Sequence, residues 1–143
     1  MTHIIDNQPN TEAKQLPQYS IREVVESVGI SAYTLRYYDK CGFFPYLYRD
    51  KNNIRSFSDA DIDQLHLVDA LRKSGLSIEG IQYYVKLDGE GTKTEQERLS
   101  LLQDRQTVLE YQLLEVQESL KILEKEGLAI AMHLKAPDTA FDR

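Results

Sequence analysis

Apolar positions recur along most of this chain at helical spacing, broken once by a short alternating stretch. Ile21, Val24, Val25 and Val28 fall at i, i+3, i+4 and i+7, one stripe on a helix. Ser20 with Glu23 three residues later is a capping-box pattern, and Gly29 offers the left-handed residue that ends many helices. The spacing predicts a helix over 20–28. Ser31 opens a second one, with Leu35 inward and its end near Lys40, before Gly42 and Pro45. Only Gly29, Ile30 and Ser31 separate the two, as a helix-turn-helix requires. The stretches 43–49 and 54–57 flank the polar tip Asp50-Lys51-Asn52-Asn53, whose asparagines tolerate the positive φ of a tight turn. They predict a two-stranded ribbon, a wing, which must pack through Phe43, Phe44 and Phe57 because an isolated hairpin is marginal in water.

Ser58 caps a third predicted helix that runs to about Ser74, with Ile62, Leu65, Leu67, Val68 and Leu71 inward and Gly75 at its end. Ser77 caps a fourth, carrying Ile78, Ile81, Tyr84, Val85 and Leu87 and ending before Asp88. The last element is predicted from about Thr94 to Glu126. Leu99, Leu102, Gln106, Leu109, Leu113, Val116, Leu120 and Leu123 alternate by three and four, a coiled-coil seam with one polar position to fix register. A helix of roughly 30 residues is about 45 Å long, so a second copy of the same helix is the expected partner, against packing within one chain. Gly127 is expected to stop this rod, residues 128–134 to cap it and 136–143 to fray. Residues 1–18, with Pro9, Pro17 and no periodicity, are expected to be a flexible arm. The organisation is then an arm at 1–18, a head at 19–88, a dimerisation helix at 92–126 and a tail at 127–143.

Composition narrows the chemistry. With 41% apolar and 28% charged residues, the 143-residue chain has an ordinary globular balance. No apolar run reaches a membrane span and the first residues lack a secretory pattern, so the cytoplasm is the expected location and no membrane partner is expected. Cys41 is the single cysteine, and His3, His66 and His133 have no ligand spacing, so no metal or cofactor is expected. No glycine-rich phosphate loop, HExxH or GxSxG is present, and no enzymatic activity is expected.

The net charge of −6 argues against nucleic acid until it is divided. Residues 19–57 hold six basic and four acidic side chains, +2, whereas residues 88–126 hold five and ten, −5. A mildly basic head on an acidic rod is compatible with DNA binding by the head alone. On the second helix, Arg36 suits a base edge or phosphate, Tyr33, Tyr37 and Tyr38 carry rings with hydroxyl donors, and Ser31 and Thr34 are short donors. One of Tyr37 and Tyr38 is expected in the core. The ribbon adds Arg49, Lys51, Asn53 and Arg55.

These residues carry a family resemblance. Residues 19–24, Tyr-Ser-Ile-Arg-Glu-Val, and 29–45, Gly-Ile-Ser-Ala-Tyr-Thr-Leu-Arg-Tyr-Tyr-Asp-Lys-Cys-Gly-Phe-Phe-Pro, resemble the N-terminal signature of MerR-family transcription regulators. Residues 49–62 look like that family's wing and third helix, and residues 71–81 like its turn into the fourth. The resemblance implies a mainly α fold: a winged helix-turn-helix head followed by an antiparallel coiled coil. It implies a homodimer on double-stranded promoter DNA with an overlong spacer, bent and underwound so that RNA polymerase engages both promoter elements. It implies contacts from Thr34, Arg36, Tyr37, Tyr38, Arg49 and Arg55, with Ser20 and Arg22 at the first helix. The wing sequence Asn53-Ile54-Arg55-Ser56-Phe57 resembles the branch that responds to aldehydes and thiol-reactive stress. That branch has a cysteine two residues before the position of Arg72, where this chain has Ala70, which leaves Cys41 as the candidate redox residue. Alternatively, the chain is a coiled-coil adaptor whose head binds protein, a reading that the negative charge supports.

Overall fold

A computed structural model describes residues 11–136. The described residues divide into two units, one reaching to Leu101 and the other beginning at Leu102. What the sequence leads one to expect of residues 1–10 and 137–143 lies outside them.

In the first unit, α1 (Thr11–Lys14) is a single turn. Residues 11–18 are therefore not wholly an unstructured arm: Lys14 reaches Asp63 at 3.4 Å, and the Gln18 and Tyr19 amides both donate to the Phe57 carbonyl at 2.9 Å. The helix-turn-helix is α2 (Ile21–Val28) and α3 (Ala32–Lys40). Ser20 and Glu23 form the reciprocal capping box, which satisfies two amides that the first turn leaves free. Gly29, at φ 79°, closes α2 in the left-handed region, and Ser31 accepts from the Thr34 amide at 3.0 Å to start α3 two residues later. The turn is short because both helix ends are satisfied within it.

The wing consists of β1 (Tyr48–Arg49) and β2 (Arg55–Ser56), antiparallel, with Tyr48 opposite Ser56 and Arg49 opposite Arg55. Its strands are shorter than the sequence suggested. Asp50 organises the tip, its carboxylate accepting from the Asn52 and Ile54 amides at 2.8 and 2.9 Å, and Asn53 takes φ 62°. A ribbon this small persists because Tyr19 bridges Phe57 on the chain leading into α2 and because its base is anchored in apolar contact. Phe43, Phe44 and Phe57 are all buried, with Phe44 and Phe57 edge to face at 5.7 Å. Each large side chain so buried stabilises by roughly 1.5–3 kcal/mol.

Helices α4 (Asp59–Lys73) and α5 (Ile78–Gly89) complete the head, each started by its serine cap, Ser58 or Ser77. Leu65, Val68 and Leu71 from α4 and Ile81, Tyr84 and Leu87 from α5 meet Val24, Leu35 and Phe57 in one core, while Ile62, Leu67, Ile78 and Val85 are half-buried. After α5 comes a 3-10 turn, Gly91–Thr94, so Thr94 sits in that turn rather than capping the last helix. Arg98 ties the junction, donating to the Thr94 hydroxyl, the Asp88 carboxylate and the Gly91 carbonyl at 3.0–3.1 Å.

The last helix, α6 (Glu95–Lys135), has 41 residues and does not stop at Gly127. Gly127 has no positive φ, no proline follows within the helix, and one glycine costs a helix only about 1 kcal/mol. Residues 128–134 thus extend the helix and do not cap it. From Tyr111 to Ala136 every residue is exposed. No helix among the described residues is long and apolar enough to cross a membrane.

Candidate nucleic-acid interface

The three-residue turn and the wing bring α2, α3 and the β1–β2 tip to one side of the head. Ser20, Arg22, Arg36, Asn53 and Arg55 border one open groove. Tyr33, Arg36, Tyr37, Lys40, Arg49 and Arg55 border a second. Arg36 and Arg55 belong to both, so they stand on the divide between them. Eight of the twelve residues expected to contact DNA therefore gather here.

The remaining four behave differently. Tyr38 is 7% exposed and packs its ring at 5.5 Å from Phe43, so its ring belongs to the core. Its neighbour Tyr37 is 44% exposed, which matches the expectation that one of the pair turns inward. Ser31 and Thr34 are engaged with each other at the helix start, hydroxyl to hydroxyl at 2.8 Å. Lys51 is exposed at the wing tip.

Electrostatics on this face are set by a residue that the sequence did not single out. Asp39, on α3, has a side chain only 5% exposed. Its Oδ2 accepts from Arg49 on β1 and from Arg55 on β2. Arg49 also donates to the Asn53 side chain at 3.2 Å. One buried carboxylate thus holds both wing strands against α3, and the cluster keeps a single net positive charge. A signal existed: two arginines facing each other across a two-residue ribbon repel unless an anion lies between them. Arg22 pairs with Glu26 at 3.2 Å on the surface of α2. Arg36 and Lys40 are exposed cations with no ion pair among the described residues. Lys40 lies in the second groove and was not among the expected contacts.

Two tyrosines near this face are already committed. Tyr37 is raised above the ordinary tyrosine range, first by a hydrogen bond to the Cys41 side chain, with the thiol's charge and burial adding and Arg72 opposing. Tyr19 is raised chiefly by a hydrogen bond to Asp59. Cys41 is half-buried and its carbonyl accepts from Gln82 at 2.9 Å. No group of His, Cys, Asp and Glu capable of holding a metal occurs among the described residues.

This geometry has counterparts. Residues 19–87 match the family model described as MerR HTH family regulatory protein. An uncharacterized HTH-type transcriptional regulator of Haemophilus influenzae is 37% identical over 106 residues, 74% of this chain and 78% of that protein. The HTH-type transcriptional regulator AdhR of Bacillus subtilis is 36% identical over 92 residues, 64% of this chain and 66% of the relative. Among solved structures, HiNmlR, a MerR family regulator lacking the sensor domain and bound to promoter DNA, superposes with a TM-score of 0.70 at 36% identity, covering 82% of this chain and 92% of that one. A MerR family regulator from Listeria monocytogenes gives 0.68 at 32% identity, covering 82% and 89%.

Proposed function

The chain belongs to the MerR family of helix-turn-helix regulators, and from that premise we propose how it acts: as a cytoplasmic homodimer that grips promoter DNA through α2, α3 and the wing of each head. It is a DNA-binding transcription regulator, as are the relatives named above. The carrying observation is the shared face on which Arg36 and Lys40 stand exposed beside the clamped arginines of the wing. A recognition helix supplies base-edge readout, and donors on either side of it supply phosphate grip and register. Arg36 is the proposed base or inner phosphate contact. Arg22, Tyr33, Lys51 and the free donors of Arg49 and Arg55 are the proposed outer contacts, with Tyr37 packing its ring beside them.

Dimerisation is proposed through the seam from Leu99 to Leu123, whose apolar members Leu113, Val116, Leu120 and Leu123 are exposed in the single chain. Two heads joined in this way would bend and underwind a promoter with an overlong spacer and present it to RNA polymerase. The redox part of the proposal is confined to Cys41, beside Tyr37.

A mobility shift on the chain's own upstream DNA tests the core of this reading. A discrete complex that weakens steeply with salt is expected. No complex even at low salt would sink it. In vitro transcription from the same promoter, with spacers shortened stepwise, tests the underwinding. A transcriptional response to electrophiles that survives Cys41→Ser would remove the thiol.

A further inference from the structure

A cavity of about 490 Å³ opens on the head, bordered by the chain that follows α3, the first turns of α4 and the last turn of α5. It shares no residue with the two grooves of the DNA-facing side. Its volume lies in the range of sites that hold small organic molecules. We propose that this cavity binds an organic cation, an amine carrying an apolar body, and that the bound cation shares the Asp88 carboxylate with Arg98.

The lining is of two kinds. Phe44, Pro45 and Tyr46 form an apolar and aromatic wall, and Asp61 and Asp88 bring negative charge. No lysine, arginine or histidine lines the cavity among the described residues, so nothing within it balances the two carboxylates. Phe44 is fixed in advance by its edge-to-face contact with Phe57. Tyr46 is 83% exposed, a ring free to lie over a cation.

Asp61 carries the argument furthest. It is 8% exposed. Its Oδ2 accepts from the Ser58 amide and hydroxyl at 2.9 and 3.0 Å, which closes the capping box of α4. Its Oδ1 accepts from no group among the described residues. No buried side-chain oxygen among them goes without a partner, so Oδ1 must open on the cavity that Asp61 lines. A carboxylate buried this deeply is costly unless its oxygens meet donors, and a protonated amine in the cavity is such a donor. Asp88 repeats the arrangement at the other side: Oδ1 accepts from Arg98 at 3.1 Å, and Oδ2 accepts from no group among the described residues. The two carboxylates belong to no group of three or more side chains able to hold a metal ion among the described residues. The apolar wall fits instead the body of an organic amine.

Arg98 gives the site an output. It ties Asp88 to Thr94 and Gly91 at the junction between α5 and α6. One carboxylate neutralises one cation, and a second cation beside it weakens the first. Occupancy of the cavity therefore loosens that tie, and by linkage removal of Arg98 tightens the cavity's hold on its ligand.

Phenethylamine tests the site on the full chain without DNA, so the result is separate from that of the mobility shift. Phenethyl alcohol and phenylpropionate are its neutral and anionic counterparts. In amide chemical-shift titrations at millimolar concentration, phenethylamine is expected to move the signals of Phe44, Tyr46, Asp61 and Asp88. It is expected to bind about tenfold more tightly than the alcohol, and phenylpropionate not to bind there. Asp88→Asn is expected to weaken phenethylamine by about tenfold. Tyr46→Ala, at an exposed position that folding does not need, is expected to weaken it by about threefold. Arg98→Gln is expected to tighten it. Equal binding of amine and alcohol overturns the cationic site. No shifts, or shifts confined to residues away from the cavity, overturn the site altogether. Unchanged or weaker binding in Arg98→Gln overturns the sharing of Asp88.

Discussion

Asp39 and Arg55 lie 16 positions apart in sequence, one on the recognition helix and one on the wing, and are joined side chain to side chain inside the head. With Arg49 on the same carboxylate oxygen, the wing is fixed by charge as well as by its phenylalanines. Asp39→Asn keeps the shape and removes the charge. Unfolding stability is expected to fall by about 1–3 kcal/mol in urea titration. The two released guanidiniums are expected to steepen the salt dependence of DNA binding by about one phosphate contact. If neither melting nor the salt slope moves, the clamp has no role in either.

Arg36 is exposed and makes no ion pair among the described residues, so folding should not miss it. Arg36→Ala is expected to weaken specific DNA binding by about 1–3 kcal/mol, measured by fluorescence anisotropy at fixed salt. Stability should stay within about 0.5 kcal/mol. Unaltered affinity would remove Arg36 from the interface.

Gly29 holds φ 79° with open space where a Cβ would project. Gly29→Ala therefore meets backbone strain and no clash, and should cost about 1–2 kcal/mol of stability. Because that strain falls in the turn between α2 and α3, DNA affinity should drop with it. A neutral substitution would mean that the turn relaxes at no cost.

Tyr83 is raised above its ordinary pKa first by a hydrogen bond to Glu97, then by burial and that carboxylate's charge. A raised pKa in the folded state means stability that is present below the unfolded value and lost as pH rises through the folded one. Alkaline conditions should therefore loosen the contact between α5 and the start of α6. Ultraviolet titration is expected to show a tyrosine that ionises late in the native chain and earlier in Glu97→Gln. Identical curves would show that the contact is absent in solution.

Much of the head was legible because its signals are local. Ser20, Ser31, Ser58 and Ser77 all cap the helices they were expected to cap, since a hydroxyl two or three residues before its amide needs no tertiary help. Tyr38 could be assigned inward only by structure: Tyr37 and Tyr38 read alike until the positions of Phe43 and Cys41 decide between them. Asp39 was not legible as a clamp because its partners arrive from strands that form only when the wing folds back. The end of α6 was misplaced for a different reason. Gly127 was given the weight of a stop signal, but a glycine ends a helix by taking a left-handed turn, and this one does not.

The exposure of every residue from Tyr111 to Ala136 has a consequence for the cell. Nothing within one chain supplies the burial that such a helix needs, and most helical stability in proteins comes from packing. In the homodimer proposed above, its order would come from the second copy, and the fraction folded would depend on how much of the protein is present. Dilution alone would unmake the far end of the rod while the head, with its own core, stays intact. The amount synthesised would in that sense be an input to the regulator.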